Sequence, residues 1–196
     1  MLLLAVSFTA NAAFCQTFMH GAGVTVMVGS IKGGNVTTAE CLTYFPRVNF
    51  LETEALSVSV GIPLSIGVSS NSSFKYSSSV GYDSNPLAIG FLANVPLIIN
   101  LNMGRGSTKE NTDRYGYFVG AGFGYHRGDF ITTQTDNNGY NYTGTKSINS
   151  FGPAANAGFR IGVGRAHRNI EIRLSYMKGL NENKTNVFGL AAAFNF

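Results

Sequence analysis

The sequence predicts an all-β fold, an eight-stranded antiparallel transmembrane β-barrel of up-and-down meander topology. Three observations predict it. Apolar residues alternate with small or polar ones over unusually long runs; those runs exceed the roughly 9–11 residues that a tilted strand needs to cross a bilayer; and the connections between them alternate between long and short. The clearest run sets Leu56, Val58, Val60, Ile62, Leu64, Ile66 and Val68 against Ser57, Ser59, Gly61, Pro63, Ser65, Gly67 and Ser69. A period of two puts these sets on opposite faces of one strand.

The remaining strands follow the same rule. Residues 17–30 form the first, with Phe18, Ala22, Val24, Val26 and Val28 on its apolar face, and 41–51 the second, with Leu42, Tyr44, Val48 and Phe50. The third is the run at 56–69. In the fourth, 87–102, Leu87, Ile89, Phe91, Ala93, Val95, Leu97, Ile99 and Leu101 oppose a face that includes Gly90, Asn94, Pro96 and Asn100. The fifth, 115–126, alternates Tyr115, Tyr117, Val119, Ala121, Phe123 and Tyr125 with residues that are mostly glycine. The sixth, 152–164, sets Ala155, Ala157, Phe159, Ile161 and Val163 against Asn156, Gly158, Arg160 and Gly162. In the seventh, 170–176, Ile170, Ile172, Leu174 and Tyr176 oppose Glu171, Arg173 and Ser175, so the second face holds charge. The eighth ends the chain with Phe188, Leu190, Ala192, Phe194 and Phe196 on one side.

The connections at 31–40, 70–85, 127–149 and 179–184 are polar and mostly long, whereas Glu52–Ala55 and Arg165–Asn169 are short. Long loops on one rim and tight turns on the other suit a membrane barrel. Gly104–Arg114 breaks the rule, being long for the turn side, and the pattern gives no reason for it.

Composition agrees with this assignment. Charged residues make up 12% of the chain, about half the usual share, and 24 glycines, 15 phenylalanines and 9 tyrosines stand in their place. No apolar run of about 20 residues exists beyond the first few positions, which excludes spanning helices. The net charge of +4 is scattered without a basic run, so nucleic acid is not an expected partner. Residues 1–16 read as an export signal, an apolar stretch from Leu2 to Phe8 followed by the small-x-small Ala10-Asn11-Ala12. The barrel domain is then 17–196. The bulky Phe14 before Cys15 argues against lipidation there, and without Cys15 the mature chain keeps only Cys41. Neither a disulfide framework nor a metal or cofactor site is expected.

Which face is outside follows from volume. About forty mostly large side chains lie on the apolar faces, and the interior of an eight-stranded barrel is only just wide enough for side chains to fill. The apolar faces must therefore meet lipid, with Gly, Ser, Ala and Asn inside. Closure also pairs every backbone donor and acceptor, as hydrocarbon requires. Phe18, Phe50, Tyr115, Tyr117 and Phe196 are expected on one aromatic rim, and Tyr44, Tyr125, Tyr176 and Phe188 on the other.

With its signal, eight alternating strands and a last strand ending in Phe194 and Phe196, the chain resembles the small outer-membrane β-barrels typified by the OmpA transmembrane domain and OmpX. In texture it is similar to their counterparts in Bacteroidetes-type bacteria. The resemblance implies a porin-like cell-envelope protein in the outer membrane of a Gram-negative organism, monomeric and surrounded by outer-membrane lipid. It also implies that the barrel-assembly machinery recognises the C-terminal strand.

Candidates for chemistry are few. His126 ends the fifth strand near Asp129, so a His/Asp pair at the rim is conceivable, although a polar rim residue is the simpler reading. His20 and His167 have no Ser or Cys at useful spacing. The glycines from Gly116 to Gly124 lack the helix and the Lys-Ser/Thr of a phosphate loop. An inward set remains: Arg47, Asn49, Asn94, Asn156, Arg160, Glu171 and Arg173. Buried charges persist only when paired, so these residues are expected to form a structural ionic plug in which Glu171 serves several arginines and the three asparagines take the remaining donors. The expected function is a structural or surface-interaction role without catalysis, with an extracellular ligand met by the loops. A narrow passive channel is the second reading and a rim-located lipid-modifying enzyme the third.

Overall fold

A computed structural model describes residues 17–31, 36–70, 89–135, 141–164, 168–182 and 184–196; the signal at 1–16, with Cys15, and His167 lie outside the described residues. Eight strands close into one antiparallel barrel, and no helix forms among those residues. Strand β1 comprises Thr17–Met19 and Gly21–Ser30, β2 Thr37–Tyr44 and Arg47–Phe50, and β3 Leu56–Gly61 and Leu64–Ser70. Then come β4 (Ile89–Gly104), β5 (Tyr115–Thr135), β6 (Asn141–Gly162), β7 (Asn169–Lys178) and β8 (Asn186–Asn195). Each strand pairs with the next, and β8 returns to β1 with Leu190 opposite Val26. The barrel so formed has no unpaired edge of its own.

The first three strands are interrupted side by side, at His20, at Phe45-Pro46 and at Ile62-Pro63. Proline has no N–H for the ladder, so pairing lapses at Pro46 and Pro63. The neighbouring amides still bond across the breaks, Phe45 N–H to the Gly21 carbonyl at 2.8 Å and Ile62 N–H to the Pro46 carbonyl at 3.1 Å. Parity survives, and odd-numbered residues stay inside along all three strands.

Burial follows the alternation. Leu42 is 73% exposed, Leu174 63% and Val24 57%, while Asn49, Ser59, Asn102 and Glu171 are at or below 1%. A continuous belt of exposed aliphatic and aromatic side chains is unstable in water and stable in hydrocarbon.

Three expectations need correction. Residues 127–135 and 141–149 are not loop: β5 and β6 continue as a paired ribbon to Thr135 opposite Asn141. The sequence there is rich in Thr and carries no alternating apolar run, so the hydrophobic period vanishes while the backbone ladder continues. Likewise β2 begins at Thr37, four residues before the expected start, because Glu40 occupies an outward position and hides the alternation. That longer strand places Tyr44 on the rim that holds the chain ends, where its hydroxyl lies 3.5 Å from His20 Nδ1 and His20 packs 4.4 Å from the Phe196 ring. Phe91 and Phe151 are exposed with Tyr125, Tyr176 and Phe188 toward the opposite rim.

Candidate functional site

The lumen is divided into two halves. Toward the rim that carries the β5–β6 ribbon, Met27, Ala39, Cys41, Leu92, Ile98, Met177 and Val187 pack together in the lumen, with Phe130 and Ile148 also buried, and Ser69, Asn94, His126 and Ser150 are buried among them. This departs from the polar interior expected from the sequence. Cys41 is free and buried within this packing. Toward the terminal rim the lumen holds the charges.

The register delivers the ionic centre. Glu171 on β7 lies directly opposite Arg160 on β6, Arg173 is the next inward residue of β7, and Arg47 follows the break in β2. The Arg160 Nε–H donates to Glu171 Oε2 at 2.7 Å, and Arg173 donates to Oε1 through Nε at 2.9 Å and Nη2 at 2.5 Å. Arg47 Nη1 stands 3.7 Å from Oε2, so one carboxylate faces three guanidinium groups. Asn195 Nδ2 adds a bond to Oε2 at 3.2 Å. The cations are also covered by aromatic faces, Arg160 over Phe118 at 4.4 Å and Arg173 over Phe45 at 4.5 Å.

The unexplained connection after β4 completes the site. Instead of projecting from the rim it folds inward, with Arg105, Ser107 and Thr108 all at or below 5% exposure. The Gly106 carbonyl accepts from Arg47 Nη2 at 2.9 Å and from Arg160 Nη1 at 3.4 Å. The Ser107 carbonyl accepts from Asn49 Nδ2 at 2.5 Å and from Ser57 Oγ at 2.6 Å. Lumen donors from β2, β3 and β6 therefore hold a short stretch of backbone as a stopper. Gly106 has a φ of +74°, a left-handed conformation that glycine adopts without strain. Gly116 on β5 lies so close to the Arg105 backbone that a Cβ would come within 2.6 Å of its amide nitrogen, so the bare position lets the stopper seat.

The asparagines divide differently from expectation. Asn49 binds the stopper, but Asn94 and Asn156 make no hydrogen bond to the arginines, and their Oδ1 atoms are buried without a partner. Asn102 takes that place: its Oδ1 accepts from both Nη1 and Nη2 of Arg160 at 3.1 Å, and its Nδ2 donates to Ser59 Oγ at 2.9 Å. The reason is height. Inward parity puts all these asparagines in the lumen, but strand tilt and stagger place Asn94 beside Ser65 and His126, where it makes no bond to the ionic centre. Asn102, Asn195 and the backbone of Gly106 and Ser107 were accessible from sequence only as inward or loop positions.

His126 and Asp129 do not meet. The histidine is fully buried in the lumen with its ring centroid 6.4 Å from that of Phe130. The Asp129 carboxylate instead accepts from the Phe91 amide at 2.8 Å and from Ser147 Oγ at 2.5 Å near the barrel's outer surface. Among the described residues the lumen holds two small cavities, of about 30 Å³ and 10 Å³, both bordered by Phe45, Pro63 and Arg173. No group of three His, Cys, Asp or Glu among the described residues gathers to hold a metal.

Solved structures share this architecture. Ail, the attachment invasion locus protein of Yersinia pestis, superposes with a TM-score of 0.52 at 12% identity, over 91% of this chain and 97% of its own. The fold is that of a small eight-stranded outer-membrane β-barrel. Neisserial surface protein A gives 0.52 at 13% identity over 91% of this chain and 95% of its own. Ail in complex with the heparin analogue sucrose octasulfate gives 0.50 at 13% identity. No protein-family model matches the chain, and no curated protein matches it.

Proposed function

We propose that this chain is a non-catalytic barrel of the outer membrane, in a Gram-negative bacterium of the Bacteroidetes type, that acts through its surface and transports no solute. The observation that carries the reading is the pairing of a closed lumen with a ribbon that continues past the barrel wall. The last rung joining β5 to β4 is Gly128 with Leu92, and the last joining β6 to β7 is Ala154 with Met177, yet β5 and β6 pair on to Thr135. Seven residues beyond Gly128 at about 3.3 Å each extend the ribbon by roughly 23 Å. Its edges are free of strand partners among the described residues, so its main-chain donors and acceptors can take an extended segment of another chain. Two of the structures sharing the fold are, by name, an attachment protein and a surface protein. Lipid surrounds the belt, and the C-terminal strand with Phe194 and Phe196 is the signal for barrel assembly. The closed barrel serves as a monomer.

The test is a variant with 131–145 replaced by a two-residue turn, displayed in parallel with the full chain on cells that lack other adhesins. The variant should remain in the outer-membrane fraction with the heat-dependent gel mobility of a folded barrel, while adhesion to matrix-coated surfaces falls about tenfold. Adhesion no greater for the full chain than for empty cells would overturn the role. Recovery of the protein as a soluble periplasmic monomer would overturn the location.

A further inference from the structure

The ionic centre does not balance. Arg47, Arg160 and Arg173 carry three positive charges and Glu171 one negative, which leaves two positive charges in a space from which water is largely excluded. Carbonyl dipoles of the stopper and the faces of Phe45 and Phe118 offset part of this, but none of them carries charge.

The 30 Å³ cavity lies directly above. Arg173 lines it, and so do Thr25, Ser65, Asn94, Asn156 and Ser175, with Met27, Ile98 and Met177 as apolar walls. No carboxylate lines it. Arg173 spends Nε and Nη2 on Glu171, and its remaining nitrogen, Nη1, is buried with no partner. Arg173 and Asn156 are each 6% exposed and Asn94 is 9%, and the latter two have no hydrogen bond at Oδ1. An amide flipped about its last bond presents Nδ2 donors at the same place. Thr25, Thr43 and Ser65 form a chain of three hydroxyls at 2.6 Å and 2.7 Å. Two hydrogen bonds use two of their three protons, so one hydroxyl proton is left over.

We propose that this cavity is a binding site for a small monovalent anion of chloride size, held by Arg173 Nη1 and by the amides of Asn94 and Asn156. With the two amides flipped, the site presents donors beside a net cationic centre, which attracts an anion, and its apolar walls exclude a hydrated cation. Its volume admits about two water-sized particles, enough for one halide and too little for an organic acid. The neighbouring 10 Å³ cavity, lined by Glu171 together with Arg47 and Arg173, is too small to compete.

The experiment has two arms on the full chain. In crystals grown with bromide in place of chloride, the expected result is an anomalous peak within hydrogen-bond distance of Arg173 Nη1; scattering there without anomalous signal means water and overturns the proposal. In detergent, unfolding is followed at constant ionic strength as gluconate, too large for the cavity, is replaced by chloride. Chloride at ten times its dissociation constant should favour the folded state about elevenfold. Asn156→Leu removes no hydrogen bond present in the structure but fills the site, so the variant should fold and lose the chloride dependence. A bromide peak with no chloride dependence in solution is binding at crystal concentration only, and overturns the proposal, as does equal dependence in the variant.

Discussion

Replacing Glu171 by alanine should be among the most damaging single changes to the lumen. The carboxylate is 1% exposed and accepts bonds from Arg160, from Arg173 twice and from Asn195, with Arg47 at 3.7 Å. Its removal leaves three guanidinium groups facing one another in a confined space, and deleting one partner of a buried pair typically costs about 3–5 kcal/mol. With a urea slope of about 2 kcal/mol per molar, the unfolding midpoint should fall by roughly 1.5–2.5 M. The control is Glu182→Ala, at an exposed position, expected within about 0.5 kcal/mol of the parent. Glu171→Gln keeps one acceptor oxygen and loses the charge, so it should lie between the two. The chain has no tryptophan, so unfolding is read by circular dichroism and by the heat-dependent gel shift of the folded barrel. If Glu171→Ala and Glu182→Ala unfold at the same urea concentration, the lumen charges are screened by water and the plug account is wrong.

Two further predictions concern the stopper and the apolar half. Gly106→Ala should destabilise the barrel by about 1–3 kcal/mol, since a side chain must enter the left-handed region and its Cβ would stand 3.0 Å from Arg160 Cδ; an unchanged urea midpoint would remove the stopper from the account. Cys41, buried at 4% exposure, should resist a water-soluble maleimide in the folded barrel and react promptly in urea, and equal rates would reveal a wet lumen.

Particular elements explain how far the sequence can be read. Leu56–Val68 marks a membrane strand because lipid on one side and a tight lumen on the other impose opposite chemistry on alternate residues. Where lipid ends, so does the signal, and Phe130–Thr135 therefore passes for loop while it continues the ladder with 141–146. Parity places Glu171, Arg47, Arg160 and Arg173 on the inner face, and the attraction of the one carboxylate for the guanidinium groups draws them together. Height is not carried by parity: Asn94 and Asn102 share a strand and a face, yet only Asn102 reaches Arg160. The stopper is harder still. Its partners Arg47, Asn49, Ser57 and Arg160 come from three strands that converge only in the closed barrel, and Gly104 and Gly106 look like ordinary turn glycines until their positive φ values are seen.

Single-channel recording of the pure protein in planar bilayers tests the central claim most directly, because the stopper, the arginine–glutamate centre and the apolar packing fill successive parts of the lumen. The account predicts no steady conductance above the bare-membrane level, and none after Cys41 is challenged with maleimide. Stable, reproducible steps of one amplitude from the folded protein would contradict it.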